Sequence, residues 1–252
     1  MPPFGELPID GVVATFLTAL DRTMGIDPAV RRMAGSTLTS SSQLADSGLV
    51  IVTAAGRHRV VWCDPRVVED YADVVAPRTT PEVDELVTQV RDRGAEPLGR
   101  SLLHVVHRRG LRDPGLPEGG VVVDLDQAEA TGPVRSLLDA CGDDDVDVAG
   151  FGDDPRPARV TLASEPDGTA VAAVIRRPTL MSDGVIDLGV LTHPDRRGEG
   201  WAAGATAQAA RSVFAAGALP LYRCEASHRT SVRLAARLGF RRAAELHVLR
   251  VT

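Results

Sequence analysis

The 252-residue chain contains no lysine and no asparagine, so all 28 of its cations are arginines. That excludes a Schiff-base lysine, the lysine of a nucleotide-binding P-loop and an Asn-linked glycosylation site. Cysteine is scarce too. Cys63, Cys141 and Cys224 are odd in number, far apart and in no C-x-x-C spacing, which indicates neither a disulfide framework nor a zinc site and makes a reducing cytoplasm the expected compartment. Long hydrophobic runs are missing as well. The apolar stretch from Ile9 to Leu20 is broken by Asp10, Thr15 and Thr18 and has no basic region before it, so neither a signal peptide nor a membrane span is expected. Aromatics make up only 4% against 44% hydrophobic residues, which describes an aliphatic core. The 34 acids outnumber the cations and leave a net charge of −6, an argument against a nucleic-acid partner.

Length fits one large domain or two modest ones. Ile9, Val12, Val13, Phe16, Leu17 and Leu20 repeat at helical spacing and predict an amphipathic first helix. From Gly48 to Cys63 two β-rich runs, LVIVT and RVVWC, flank the turn-like AAGR and read as a hairpin. Two helices should follow, one from Pro65 to about Val75, the other with Thr80 as N-cap and Pro81 at the first helical position. SLLHVVH at 101–107 then reads as a strand, and Trp62, Cys63 and Tyr71 as core residues. RRGLRDPGLPEGG, from Arg108 to Gly120, is rich in Gly, Pro and charge. It sets the expected division into an N-terminal α/β module at 1–115 and a second domain at 120–252.

In the second domain the pattern predicts a strand at Val121–Leu125, a helix at Ala128–Cys141 and an acidic loop, GDDDVDVAGFGDDPRPA. Strands at Arg159–Ala163, Ala170–Arg176 and Val185–Thr192 should precede an alanine-rich helix at Trp201–Ala216. A strand at Leu219–Glu225, a short helix at Thr230–Leu238 and a closing strand at Ala243–Val251 complete a mixed α/β fold. Charge follows the same order. Residues 121–167 hold twelve acids and three arginines, net −9, whereas 168–252 hold six acids and twelve arginines, net +6. An EF-hand reading of Asp143–Asp147 fails because position six is Val148 and no glutamate closes the loop. No metal ligand set is expected, and His58, His104, His107 and His247 read as ordinary strand residues.

The segment Arg197-Gly198-Glu199-Gly200-Trp201-Ala202 places small residues where a strand gives way to a helix, so that backbone N–H groups can point into one concavity and hold phosphate oxygens. It is not the dinucleotide fingerprint, since the third glycine falls at Ala203. Together with Thr192-His193-Pro194 it resembles the Q/R-x-x-G-x-G/A loop of the GCN5-related N-acetyltransferase (GNAT) family. About thirty residues on, His228 through Phe240 (HRTSVRLAARLGF) is similar to that family's N-x-x-S-x-x-x-Y-x-K-x-G-F stretch. The resemblance covers about residues 120 to 252.

It implies a GNAT fold for that half, with the first half a smaller α/β module that could be a degenerate copy. It also implies acetyl-CoA as cosubstrate, with no metal. The pyrophosphate would be gripped by Arg197 and the amides of Gly198, Glu199, Gly200, Trp201, Ala202 and Ala203, with pantetheine along Val190, Leu191 and Thr192, and with His228 and Ser231 contributing from the second motif. The acceptor would be an amine on a small molecule or protein, attacking the thioester directly. A homodimer is compatible with this reading.

Two departures stand out. Ala235 occupies the position of the tyrosine that protonates the leaving thiolate in many members, and His228 replaces the usual asparagine. Tyr222 is the substitute acid if its hydroxyl faces the cleft, and otherwise a packed core tyrosine. Asp187, with Gly189 leaving room beside it, and Glu225 at the end of the next strand are the candidate bases, each with a solvated strand carboxylate as the alternative. His228 is a third, set against a structural hydrogen bond. Carboxylates of the acidic loop could border the acceptor site and favour a cationic amine. The competing function is a catalytically impaired protein that binds acyl-CoA as a sensor.

Overall fold

The computed structural model describes residues 8–75, 79–152, 158–179 and 184–251. In chain order the elements are α1 (Ile9–Thr23), β1 (Gly35–Ser40), β2 (Leu49–Ala55), β3 (His58–Cys63), α2 (Val83–Arg91), β4 (Ala95–Val105), β5 (Val121–Asp126), α3 (Gln127–Ala140), α4 (Asp143–Val148), β6 (Arg159–Ser164), β7 (Ala170–Pro178), β8 (Val185–Thr192), α5 (Trp201–Ala215), β9 (Leu219–Glu225), α6 (Arg229–Arg237) and β10 (Arg241–Val251). They fall into two compact units. One comprises Val13–His104, Cys224–Arg229 and Arg242–Thr252; the other comprises Met1–Val12, Val105–Arg223 and Thr230–Arg241. The contiguous division at 1–115 and 120–252 therefore differs from the observed one at the closing strand, which packs with the N-terminal half. Its reason is pairing: β10 runs antiparallel to β2, with Leu249 opposite Val50 and His247 opposite Val52.

In the first unit the strand order is β1-β3-β2-β10-β4. The hairpin forms as the two β-rich runs predict, with Val50–Cys63 through Ala55–His58 in register. Helix α1 buries Phe16 and Leu20, and Asp21 at its C-terminal end meets Arg31 through Nε at 2.6 Å. Strand β1, GSTLTS, has no apolar alternation and was not expected. It is an edge strand held by parallel pairing to β3, so backbone hydrogen bonds, not a buried stripe, define it. The Pro65 helix is a 3-10 turn, Pro65–Tyr71, capped by Asp64, whose side chain accepts from the Arg66 amide. Thr80 is not a helix cap. Its hydroxyl donates to the Arg57 carbonyl and accepts from the Gly35 amide, and α2 starts later with Glu82 as N-cap. Trp62, Cys63 and Tyr71 are buried.

In the second unit the order is β9-β8-β7-β6-β5, with β8 and β9 parallel and the other pairs antiparallel. Helix α3 opens on a capping box between Asp126 and Glu129 and lays Ala130, Val134 and Leu137 on Val160, Leu162, Ala173, Ile175 and Leu191. Thr161, alternating with Val160 and Leu162, faces the other way and bonds Asp124, which also meets Ser212 of α5 and, at 3.1 Å, Arg176. Helix α5 thus covers the opposite face, giving three layers. The acidic segment is helical at Asp143–Val148 where a loop was expected: three aspartates in the first turn suit the positive end of a helix. Residues 153–157 of that segment lie outside the described residues. Among the described residues no helix is long and apolar enough to cross a membrane.

Candidate functional site

Strand β8 is paired on both edges only at its start. Val185–Leu188 pair with Leu219–Tyr222 of β9, and no pairing between these strands continues beyond Leu188 and Tyr222, while on the other edge β7 follows β8 to Thr192. Gly189–Thr192 therefore present one open backbone edge, the place where an extended ligand can add as a further strand. Of the three residues expected to line pantetheine, Leu191 points into the α3 core and Val190 is half-buried. The Thr192 carbonyl accepts from Arg197 Nε at 3.4 Å and from the Cys141 thiol at 3.7 Å.

Beyond β8, His193 accepts from the Asp195 amide through its side chain and opens a 3-10 turn at Pro194–Arg196. Gly198 and Gly200 then adopt φ of +89° and +103°, a left-handed conformation that side-chain-bearing residues resist. The amides of Gly198, Glu199, Gly200, Trp201 and Ala202 lie at the start of the 15-residue α5, and among the described residues none of the five has a protein acceptor. Ala203, the sixth amide of the expected cradle, is already bonded to the Gly200 carbonyl. Donors without a protein acceptor at the positive end of a helix have the chemistry to hold an anion.

The side chains around this loop are committed to one another. Trp201 is buried and its Nε1 donates to Glu199 at 3.1 Å. Arg196 pairs with Glu165 and, at 3.5 Å, with Glu199. Arg197, expected on the cosubstrate, holds Asp145 of α4 at 2.7 Å. Backbone amides rather than guanidinium groups are the open donors. Burial pushes the Cys141 thiol above its ordinary value, with the Arg197 charge offsetting part of that rise.

Asp187 lies on β8 with its carboxylate held by Arg223 of β9 at 2.9 and 3.0 Å. The space expected beside it at Gly189 is filled. A Cβ there would collide with the Ala149 carbonyl oxygen and lie 2.9 Å from Ile175 Cγ2, so the glycine admits the end of α4, not an acceptor amine. Tyr222 is 2% exposed; its hydroxyl meets Ser231 Oγ of α6 at 2.8 Å and its ring lies 5.6 Å from Phe240. Ala235, at the position of the family's tyrosine, is wholly buried. Glu225 and His228 are exposed and share a turn, the His228 amide bonding the Glu225 carbonyl.

One cluster was not anticipated from sequence. In the first unit, His247 Nε2 and Arg100 Nε each lie 2.7 Å from Glu245 Oε1, with Arg242 at 3.6 Å from Oε2. The i, i+2 spacing of Glu245 and His247 on a strand was the available signal. Among the described residues no group of three or more His, Cys, Asp or Glu could hold a metal ion.

Solved structures share this architecture. A GCN5-related N-acetyltransferase from Kribbella flavida superposes with a TM-score of 0.50 at 24% identity, covering 69% of this chain and 65% of that one. A GCN5-related N-acetyltransferase from Sphaerobacter thermophilus matches with a TM-score of 0.53 at 13% identity over 96% of this chain and 93% of that one. The chain thus spans about two thirds of the Kribbella protein. No family model and no curated protein matches the chain. The protein has the mixed α/β fold of the GNAT acetyltransferases.

Proposed function

We propose that this protein is an acyl-CoA-dependent N-acyltransferase that moves an acyl group, acetyl in the simplest case, to an amine of a small molecule or protein. The observation that carries this reading is the run of five acceptorless amides, Gly198–Ala202, at the head of α5, next to the open edge of β8. The amides suit a pyrophosphate, and the open strand edge suits the amide-bearing pantetheine arm.

Chemically the step is direct. The amine nitrogen attacks the thioester carbonyl carbon, the C–N bond forms, the C–S bond breaks, and the electron pair leaves on sulfur. Holding the two reactants together supplies much of the rate. A base must take the ammonium proton. Asp187 is held by Arg223; Glu225, exposed at the end of β9, is the other candidate base that the sequence offers. Tyr222, 2% exposed with its hydroxyl on Ser231, is the packed core tyrosine of the two alternatives, so the thiolate leaves on its own moderate basicity.

A second reading, acyl-CoA binding without turnover, is favoured by one observation: Ala235 is buried and carries no acid. Thiol release from acetyl-CoA, followed with a panel of primary amines, separates the two. Amine-dependent release lost in Gly200→Glu supports the transferase; tight coenzyme A binding with no release from any amine supports the sensor; no binding defeats both.

A further inference from the structure

A groove of about 350 Å³ lies at the C-terminal end of α6, lined by Ile9, Ala236 and Phe240 together with His107, Arg112 and Arg241. It shares no residue with the glycine loop. Its volume falls in the range that takes small molecules. The walls are fixed by backbone: the Arg112 amide donates to the Leu238 carbonyl at 2.9 Å, and the Gly110 carbonyl is packed so tightly on Gly239 that a Cβ there would collide with it.

Cations outnumber acids around this groove. Arginines beside the glycine loop and on β9 all have acid partners, as with Arg196, Arg197 and Arg223. At the groove, Arg112 has no ion pair among the described residues, and Arg241 reaches only Asp10 at 3.9 Å, both side chains exposed. The same segments carry Arg108, Arg109 and Arg237, also without ion pairs among the described residues, and no acid occurs from Ala226 to Ala244. Arg237 suits the negative end of α6; Arg112 and Arg241 lie outside that helix. In a chain where acids outnumber cations, one guanidinium without an ion pair among the described residues, Arg112, and one held only by a long, exposed contact to Asp10, Arg241, beside apolar side chains match a ligand with an anionic head and a hydrophobic body.

We propose that this groove is a second ligand site, taking a small amphiphilic anion: a carboxylate or phosphate head set against Arg112 and Arg241, and an aliphatic or aromatic body on Phe240, Ile9 and Ala236. The arginines select the head and the apolar side chains select the body, so neither inorganic phosphate nor a neutral alcohol is a sufficient ligand.

Calorimetric titration of the full chain with sodium octanoate and with phenyl phosphate tests this, with octanol and inorganic phosphate as controls. Saturable one-to-one binding of octanoate or phenyl phosphate is expected, the tighter of the two identifying the head group. Affinity should fall at least ~10-fold in Arg112→Gln/Arg241→Gln, both exposed positions, since each charged hydrogen bond lost is worth about tenfold or more. Ala236→Trp, which fills the groove from an exposed helix position, should also abolish binding while leaving the melting temperature within about 2 °C of the wild type. Coenzyme A binding is measured on the same variants and stays unchanged, which keeps this site separate from the glycine loop. Octanol binding as tightly as octanoate, equal binding by the arginine variant, or no binding of either anion would overturn the proposal.

Discussion

Replacing Gly200 with glutamate perturbs the anion site while leaving the surrounding packing alone. A Cβ at Gly200 meets nothing within 4 Å, so the substitution carries backbone strain but no collision. The φ of +103° makes that strain about 1–2 kcal/mol, or a melting temperature lower by roughly 2–8 °C for a chain of this size. Gly200→Ala carries the same strain without the charge and is the reference. A carboxylate about 5 Å from a phosphate oxygen, with an effective dielectric between ~20 and ~80, repels it by about 1–3 kcal/mol. The coenzyme A Kd of Gly200→Glu should therefore exceed that of Gly200→Ala about 5- to 150-fold by calorimetry. The difference should shrink as salt rises from about 0.05 to 0.5 M, because screening acts on charge and not on strain. Equal Kd values for the two variants, or a salt-independent gap, would refute the assignment of the Gly198–Ala202 amides to an anion.

Gly189→Ala should lower the melting temperature by about 3–10 °C, the cost of overpacking against the Ala149 carbonyl and Ile175; an unchanged value by calorimetry contradicts the close approach. Burial alone would raise the Glu245 carboxyl, but hydrogen bonds from Arg100 and His247 outweigh it and hold the group below its ordinary 4.5. A depressed folded pKa contributes stability above the unfolded value that is lost as pH falls through the folded one. Urea midpoints should consequently fall less steeply below about pH 4.5 in Glu245→Gln than in the wild type, and parallel acid limbs would exclude this role. Burial pushes the Cys63 thiol up to about 11, and all three cysteines are buried. Native protein at pH 8 should show no fast thiol reaction with a disulfide reagent and three equivalents after denaturation; a stoichiometric fast phase would count against the core placement.

Elements with a strong period are legible in the sequence. The i, i+3, i+4 stripe of α1 and the β-rich hairpin at Leu49–Cys63 formed where their patterns put them. Strand β1 was hidden because an edge strand of Ser and Thr carries no apolar alternation, and α4 because a run of aspartates reads as a solvated loop until its helix dipole is considered. Thr80 showed a cap signature, but its hydroxyl was taken by Arg57 and Gly35, tertiary contacts that local rules do not see.

The functional site divides along the same line. Glycines 198 and 200 before an alanine-rich helix are a local device: left-handed backbone and a helix N-terminus follow from the residues themselves, so the turn and the helix start could be read from sequence. The fates of its neighbours could not. Arg197 is occupied by Asp145, 52 residues away, and Glu245 is held by Arg100 across 145 residues. Gly189 admits the Ala149 carbonyl, and β10 leaves the second half to pair with β2. Short-range sterics and hydrogen bonding act on a few neighbouring residues and are written in order along the chain. Charge partners, close backbone contacts and strand exchange depend on which distant segments meet, and packing decides that only once the whole chain has folded.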